Sequence, residues 1–131
     1  MRRFPLALAA LAVLCVAAPG AAAVQAAPPV VEVRLSSYDF TPSTIHLHVG
    51  QLQVLRLVGE NGSHNFSAPA LFRASRIDPA SARAAHGGTI ELHEGDVVEI
   101  RLTPLTAGTW PVRCTHLFHT AYGMKGEVIV G

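Results

Sequence analysis

Two cysteines in 131 residues cannot build a disulfide framework, and only Cys114 lies beyond the N-terminal apolar segment. Aromatic residues make up 6% of the chain and charged residues 15%. No run of like charge is present, which argues against an arm for nucleic acid. There is no low-complexity tract and no repeat at a solenoid period. No apolar run reaches the roughly 20 residues of a bilayer-spanning helix. The longest, residues 4–18, is shorter and carries Pro5.

What is present divides unevenly. Residues 1–26 hold 20 hydrophobic residues, and residues 27–131 hold 45 of 105. The second figure is an ordinary globular fraction and fits one domain with one core. Met1, Arg2 and Arg3 open the chain with a short basic stretch before the apolar run. Pro19 and Gly20 then break the run, and small residues follow. That order is the pattern of a cleaved secretory leader. Small-x-small sites end at Ala23 and Ala26, so residues 1–26 read as the leader and residues 27–131 as the mature domain. A retained anchor is the bland alternative, and the run is short for it. Leu14 stands before Cys15 where a lipid-anchored cysteine takes a small residue, so Cys15 is expected to leave with the leader. The expected location is the periplasm or the outside of the cell, with no transmembrane span remaining. Without Arg2 and Arg3, eight basic residues face nine acidic ones, a formal charge of −1. This offers no field for a polyanionic partner. All seven histidines remain, and Cys114 becomes the sole thiol. A lone thiol in an exported chain calls for intermolecular pairing, a reactive role or a metal.

The mature part reads as short strands at residues 30–35, 44–49, 51–58, 64–66, 89–93, 97–102, 109–114 and 127–130. Period-2 runs between Gly, Pro, Asn and Asp turns predict an all-β, antiparallel sandwich or barrel of about eight strands. Ile45, Leu47 and Val49 share one face, and His46 and His48 share the other, which faces solvent. Residues 69–86 interrupt the strand spacing. Within them, residues 79–85 read as a short helix or an ordered loop. Trp110 reads as core.

The chemistry sits between the last two strands. Residues 114–124 place a thiolate at Cys114, an imidazole at His119 and a thioether at Met124 on one loop. A thiolate with imidazole and a weaker thioether suits copper cycling between Cu(I) and Cu(II). The second imidazole must come from elsewhere, and His64, opening its own strand after a Gly-rich turn, is the candidate. Two imidazoles, a thiolate and a long axial thioether make the trigonal electron-transfer copper site. Cysteine and histidine donors also suit zinc.

With these residues the mature chain resembles the cupredoxin family, the small blue copper proteins such as plastocyanin, pseudoazurin and azurin. The likeness runs through Tyr38-Asp39-Phe40-Thr41-Pro42, residues 45–50, Ser63-His64-Asn65-Phe66, residues 107–110 and residues 114–130. It implies a Greek-key β-sandwich with one mononuclear type 1 copper at one end. It also implies His64, Cys114, His119 and Met124 as ligands. Asn65 matches the asparagine that ties the two ligand-bearing segments together, and Thr115 stands where such a bond is received. The Cys-to-His spacing resembles azurin and the His-to-Met spacing resembles plastocyanin. The combination also resembles the electron-entry site of multicopper oxidases. Those enzymes flank the cysteine with histidines that reach a trinuclear cluster, whereas here the flanks are Arg113 and Thr115. A binuclear copper site needs a second cysteine. The chain is therefore expected not to be an enzyme.

Alternatives remain open at single residues. A lone cysteine near strand ends is often a small buried hydrophobe, and a methionine often fills a core. His116 competes with His119 as a ligand, but only His119 leaves the His-x4-Met spacing intact. His46 and His48 either hold a divalent metal loosely or are solvated, and His86 and His93 receive no role. Leu117, Phe118, Ala121 and Tyr122 surround His119, and those not in the core form an apolar collar for docking. The expected function is an exported one-electron carrier, a monomer meeting transient redox partners. The alternative is a periplasmic copper-binding protein for trafficking, storage or tolerance, working with copper donor and acceptor proteins. Neither involves nucleic acid.

Overall fold

The computed structural model describes residues 14–131, so the leader expectation on residues 1–26 lies partly outside the described residues. Residues 14–29 carry no helix or strand. Ten strands follow: β1 Val30–Ser36, β2 Asp39–Thr41, β3 Thr44–Leu47, β4 Gln53–Gly59, β5 His64–Ser67, β6 Ser75–Ile77, β7 Thr89–Leu92, β8 Val97–Pro104, β9 Gly108–Arg113 and β10 Lys125–Val130. They form two five-stranded sheets, in the orders β2-β1-β4-β8-β6 and β3-β10-β9-β5-β7. Among the described residues no helix is long and apolar enough to cross a membrane.

Alternation drives the packing. Val33 and Leu35 of β1, Leu55 and Leu57 of β4, Ile100 and Leu102 of β8 point inward from the first sheet. Ile45, Phe66, Ile90, Leu92, Val128 and Val130 meet them from the second. This is the two-faced pattern of a half-buried strand. Phe40, Phe66 and Phe72 join across the core, with ring centroids 5.8 and 6.3 Å apart. On the outer face of the first sheet, Glu32, Arg34, Arg56, Glu60 and Glu99 form a ladder of exposed ion pairs. Such pairs keep a sheet face wet but add little stability.

The all-β sandwich expected from the sequence is present, with three differences. The sheets are mixed: β1 runs parallel to β4, and β3 runs parallel to β10. The chain leaves the first sheet after β2, crosses to the second for β3, and returns as β4 in the direction of β1. Alternation reports a strand's buried face and carries no signal of its neighbour's direction. Second, the interruption at residues 69–86 is ordered, as α1 (Pro69–Arg73), β6, α2 (Pro79–Ala82) and the start of a 3-10 turn at His86–Gly88. Pro69 starts α1, where its missing N–H costs nothing. At three residues each, β2 and β6 are too short to show a period. Third, β3 stops at Leu47, and Val49 is exposed rather than inward. Trp110 is only half-buried, packed at the margin of the core.

The second sheet has a weak seam. β9 and β10 share six register pairs, β5 and β7 share four, but β5 and β9 share one, Ser67↔Arg113. The pair joins the last residues of both strands, and beyond it no ladder ties β5 to the chain leaving β9: the two run on like the prongs of a fork, and the loop carrying Cys114 begins there.

Candidate metal centre

Both prongs of the fork carry donors. His64 opens β5, and Cys114 follows β9 directly. His119 lies in the turn-rich stretch after it, and Met124 immediately precedes β10. His64, Cys114 and Met124 are fully buried, while His119 is half-buried. One nitrogen from each histidine and the Cys114 sulfur lie within 4.8 Å of one another. Cys114 Sγ is 3.4 Å from His119 Nδ1.

Each donor is held by its surroundings. His64 Nε2 lies 3.0 Å from the Glu60 carbonyl and 3.1 Å from that of Asn61, so this nitrogen carries the proton and donates it. Nδ1 is then left with a lone pair, buried and without any hydrogen-bond partner. An unpaired buried acceptor costs about 1–3 kcal/mol. A metal ion would satisfy that atom, which makes this the observation that best fits the site to one. The thiol receives the Asn65 main-chain N–H at 3.4 Å. The loop closes on itself: the Cys114 N–H donates to the Met124 carbonyl at 3.1 Å, and the Met124 N–H donates to the His119 carbonyl at 3.0 Å. Thr120 Oγ1 donates to the Cys114 carbonyl at 2.6 Å.

Asn65 bridges the fork. Its Oδ1 accepts the Thr115 N–H at 2.8 Å, and its Nδ2 donates to Thr115 Oγ1 at 2.7 Å. Asn65 and Thr115 stand where the β5–β9 ladder would continue, so the amide supplies what a neighbouring backbone would have offered. Asn65 Nδ2 also donates to Glu91 Oε2 at 3.1 Å. His116 does not join the donor cluster. It lies over His119, ring centroids 5.2 Å apart, and pairs with Glu91. The chain reading missed Glu91, whose only signal was an outward position in an alternating strand. It also missed Tyr38, which meets His119 edge-on at 5.0 Å and Tyr122 at 4.9 Å. Leu117, Phe118 and Tyr122 are exposed around His119. His46, His48, His86 and His93 are exposed and, among the described residues, belong to no such donor cluster.

The electrostatics favour a neutral imidazole. Burial holds the pKa of His119 below the ordinary histidine value, and the nearby His116 and His64 rings lower it further. A neutral ring is the form that binds a metal. Two imidazoles, a thiol that ionises on metal binding and the thioether of a buried methionine on the same loop suit copper in chemical softness.

The model of the family described as multicopper oxidase matches residues 20–131. No curated protein matches the chain. Among solved structures it is similar to auracyanin B, at 20% identity and TM-score 0.57, covering 82% of this chain and 93% of that one. It is similar to the auracyanin of the photosynthetic bacterium Roseiflexus castenholzii, at 17% identity and TM-score 0.58, covering 81% and 99%. It is also similar to a multi-copper oxidase from Pediococcus acidilactici, at 18% identity and TM-score 0.62. That match covers 88% of this chain but 29% of the oxidase, so the chain spans under a third of that enzyme. At these identities the solved structures speak for the fold.

Proposed function

The chain belongs to the multicopper oxidase family, with copper as its cofactor, and from that premise we propose an exported, mononuclear one-electron carrier. The observation that carries this reading is the lone, buried Nδ1 of His64 beside Cys114 and His119. His64, Cys114 and His119 would hold the ion, and Met124 would offer its thioether as a further, weaker donor. Copper bound there supplies a Cu(I)/Cu(II) couple.

The protein's own contribution is to keep the donors still. His64 is pinned by two carbonyls, and Cys114 by the Asn65 N–H and the Met124 carbonyl. Donors anchored at strand ends move little between oxidation states, which favours fast electron transfer. Of the four, only His119 reaches the surface, so its ring edge is the electron port. The exposed Tyr38, Leu117, Phe118 and Tyr122 frame that edge and suit brief contact with a redox partner through a small interface. Arg113 and Thr115 flank the cysteine where an oxidase domain passes electrons through histidines to further copper. This favours a carrier over an oxygen-reducing enzyme. The leader-like pattern of residues 1–26 supports a mature domain in the periplasm or outside the cell, and in this reading it works as a monomer.

The test is the visible spectrum of the mature protein after one equivalent of Cu(II). An intense band that a mild reductant bleaches and an oxidant restores is expected, and Cys114→Ser should abolish it. Tight copper binding without that band would refute the carrier and favour copper trafficking. So would release of copper to a chelator within minutes.

A further inference from the structure

Glu91 belongs to none of the roles above. It lies on β7, an edge strand, with half its side chain exposed. Carboxylates in such places are ordinarily solvated or loosely paired. Here both oxygens are committed. Oε2 accepts from Asn65 Nδ2 at 3.1 Å, and Oε1 meets His116 Nε2. Asn65 faces Glu91 directly across the β5–β7 ladder. Through Asn65 the carboxylate reaches Thr115, and directly it reaches His116. These are the two residues that follow Cys114.

The reason for such a clamp lies in the seam. Beyond Ser67↔Arg113 no backbone ladder holds the cysteine loop against β5. The loop is held instead by the Asn65 amide, and an amide has two ends that can exchange places. With Oδ1 toward the Thr115 N–H, every contact is donor to acceptor. Turned over, the amide would set Nδ2 against that N–H and Oδ1 against the Glu91 carboxylate, two mismatched pairs. An acceptor oxygen at position 91 therefore favours the orientation that grips the loop.

We propose that Glu91 is a positioning residue of the copper centre. Its carboxylate fixes the Asn65 amide and His116, and so holds the loop bearing Cys114 and His119 in place across the seam. This rests on the copper reading above.

The test compares wild-type protein with E91A and E91Q. Amide hydrogen exchange over residues 114–120 is followed in the copper-free protein. The visible spectrum, the reduction potential and copper release to a chelator are followed in the loaded one. E91A should speed exchange in that loop while leaving β8 unchanged. It should also shift the potential and accelerate release by about 10–100-fold, the range for residues that orient metal ligands. E91Q retains an oxygen for Asn65 and should recover most of each property. If E91A does not fold, E91T replaces it, with higher strand propensity and a side chain too short to reach His116. Wild-type exchange, potential and release in E91A or E91T would overturn the role of Glu91. So would an E91Q as impaired as E91A, since that assigns the effect to charge alone. A wild-type protein without the intense band overturns the carrier reading instead, and the exchange comparison then still decides whether Glu91 holds the loop.

Discussion

Replacing Asn65 with Ala removes three hydrogen bonds: two with Thr115, at 2.8 and 2.7 Å, and one with Glu91, at 3.1 Å. The residue is only 3% exposed, so the bonds are sheltered. At about 1 kcal/mol net each, they sum to about 3 kcal/mol. Thr115 is exposed and Glu91 half-exposed, so water recovers part of the loss, leaving about 2 kcal/mol. The main-chain N–H to Cys114 Sγ survives the substitution. Urea unfolding of the copper-free protein should show a lower midpoint at unchanged slope. In a domain of this size the melting temperature should fall by about 10 °C. Thr115→Val removes one of the three bonds, and a double-mutant cycle with Asn65→Ala should return a coupling of about 1 kcal/mol. A loss below about 0.5 kcal/mol, with no coupling, would refute the bridge across the fork.

His116→Ala should leave the intense visible band nearly intact, and disappearance of the band would make His116 the ligand in place of His119. Gly126→Ala should destabilise the fold by about 1–3 kcal/mol in the same urea assay. Its new Cβ would lie 2.3 Å from the Ser43 carbonyl oxygen, which already accepts the Glu127 N–H. A neutral result would mean that the β2–β3 connection yields. Leu57→Ala, deep in the first sheet, should cost about 2–5 kcal/mol and leave the visible band unchanged. The pH dependence follows from His119, whose pKa is lowered first by burial and then by His116 and His64. The unfolded chain titrates near 6.5 and takes up the proton first as the pH falls. Stability of the copper-free protein is therefore complete above about pH 6.5 and declines below it. Guanidinium unfolding of His119→Asn should show a shallower decline over that range, and parallel curves would refute the assignment.

The parts of this arrangement differ in how far they could be read from the chain. Cys114, His119 and Met124 lie within one loop, so their spacing is itself the signal. His64 is distant, and only the need for a second imidazole to complete the donor set points to it. Asn65 and Thr115 came through family likeness alone, because nothing local marks an amide that will replace a backbone ladder. Glu91 was out of reach: its contact depends on the β5–β7 register, and alternation reports a face without reporting the residue opposite. The same limit hid the two parallel pairings. Tyr38 belonged to a quoted motif, but its packing on His119 depends on how the β1–β2 turn folds over the site.

The fork between β5 and β9 has a mechanical consequence. His64 sits on one prong, and the other proposed ligands sit on or beyond the other. A metal shared between them acts as a rivet, closing a loop as long as the 50 residues that separate Asn65 from Thr115. A covalent cross-link over such a loop removes about 4 kcal/mol of chain entropy from the unfolded state. Metal loading should thus raise the resistance of the whole sandwich to unfolding, with the largest gain along this seam. Limited proteolysis would then discriminate the empty from the loaded protein most sharply at the loops flanking β5 and β9, and less in the first sheet.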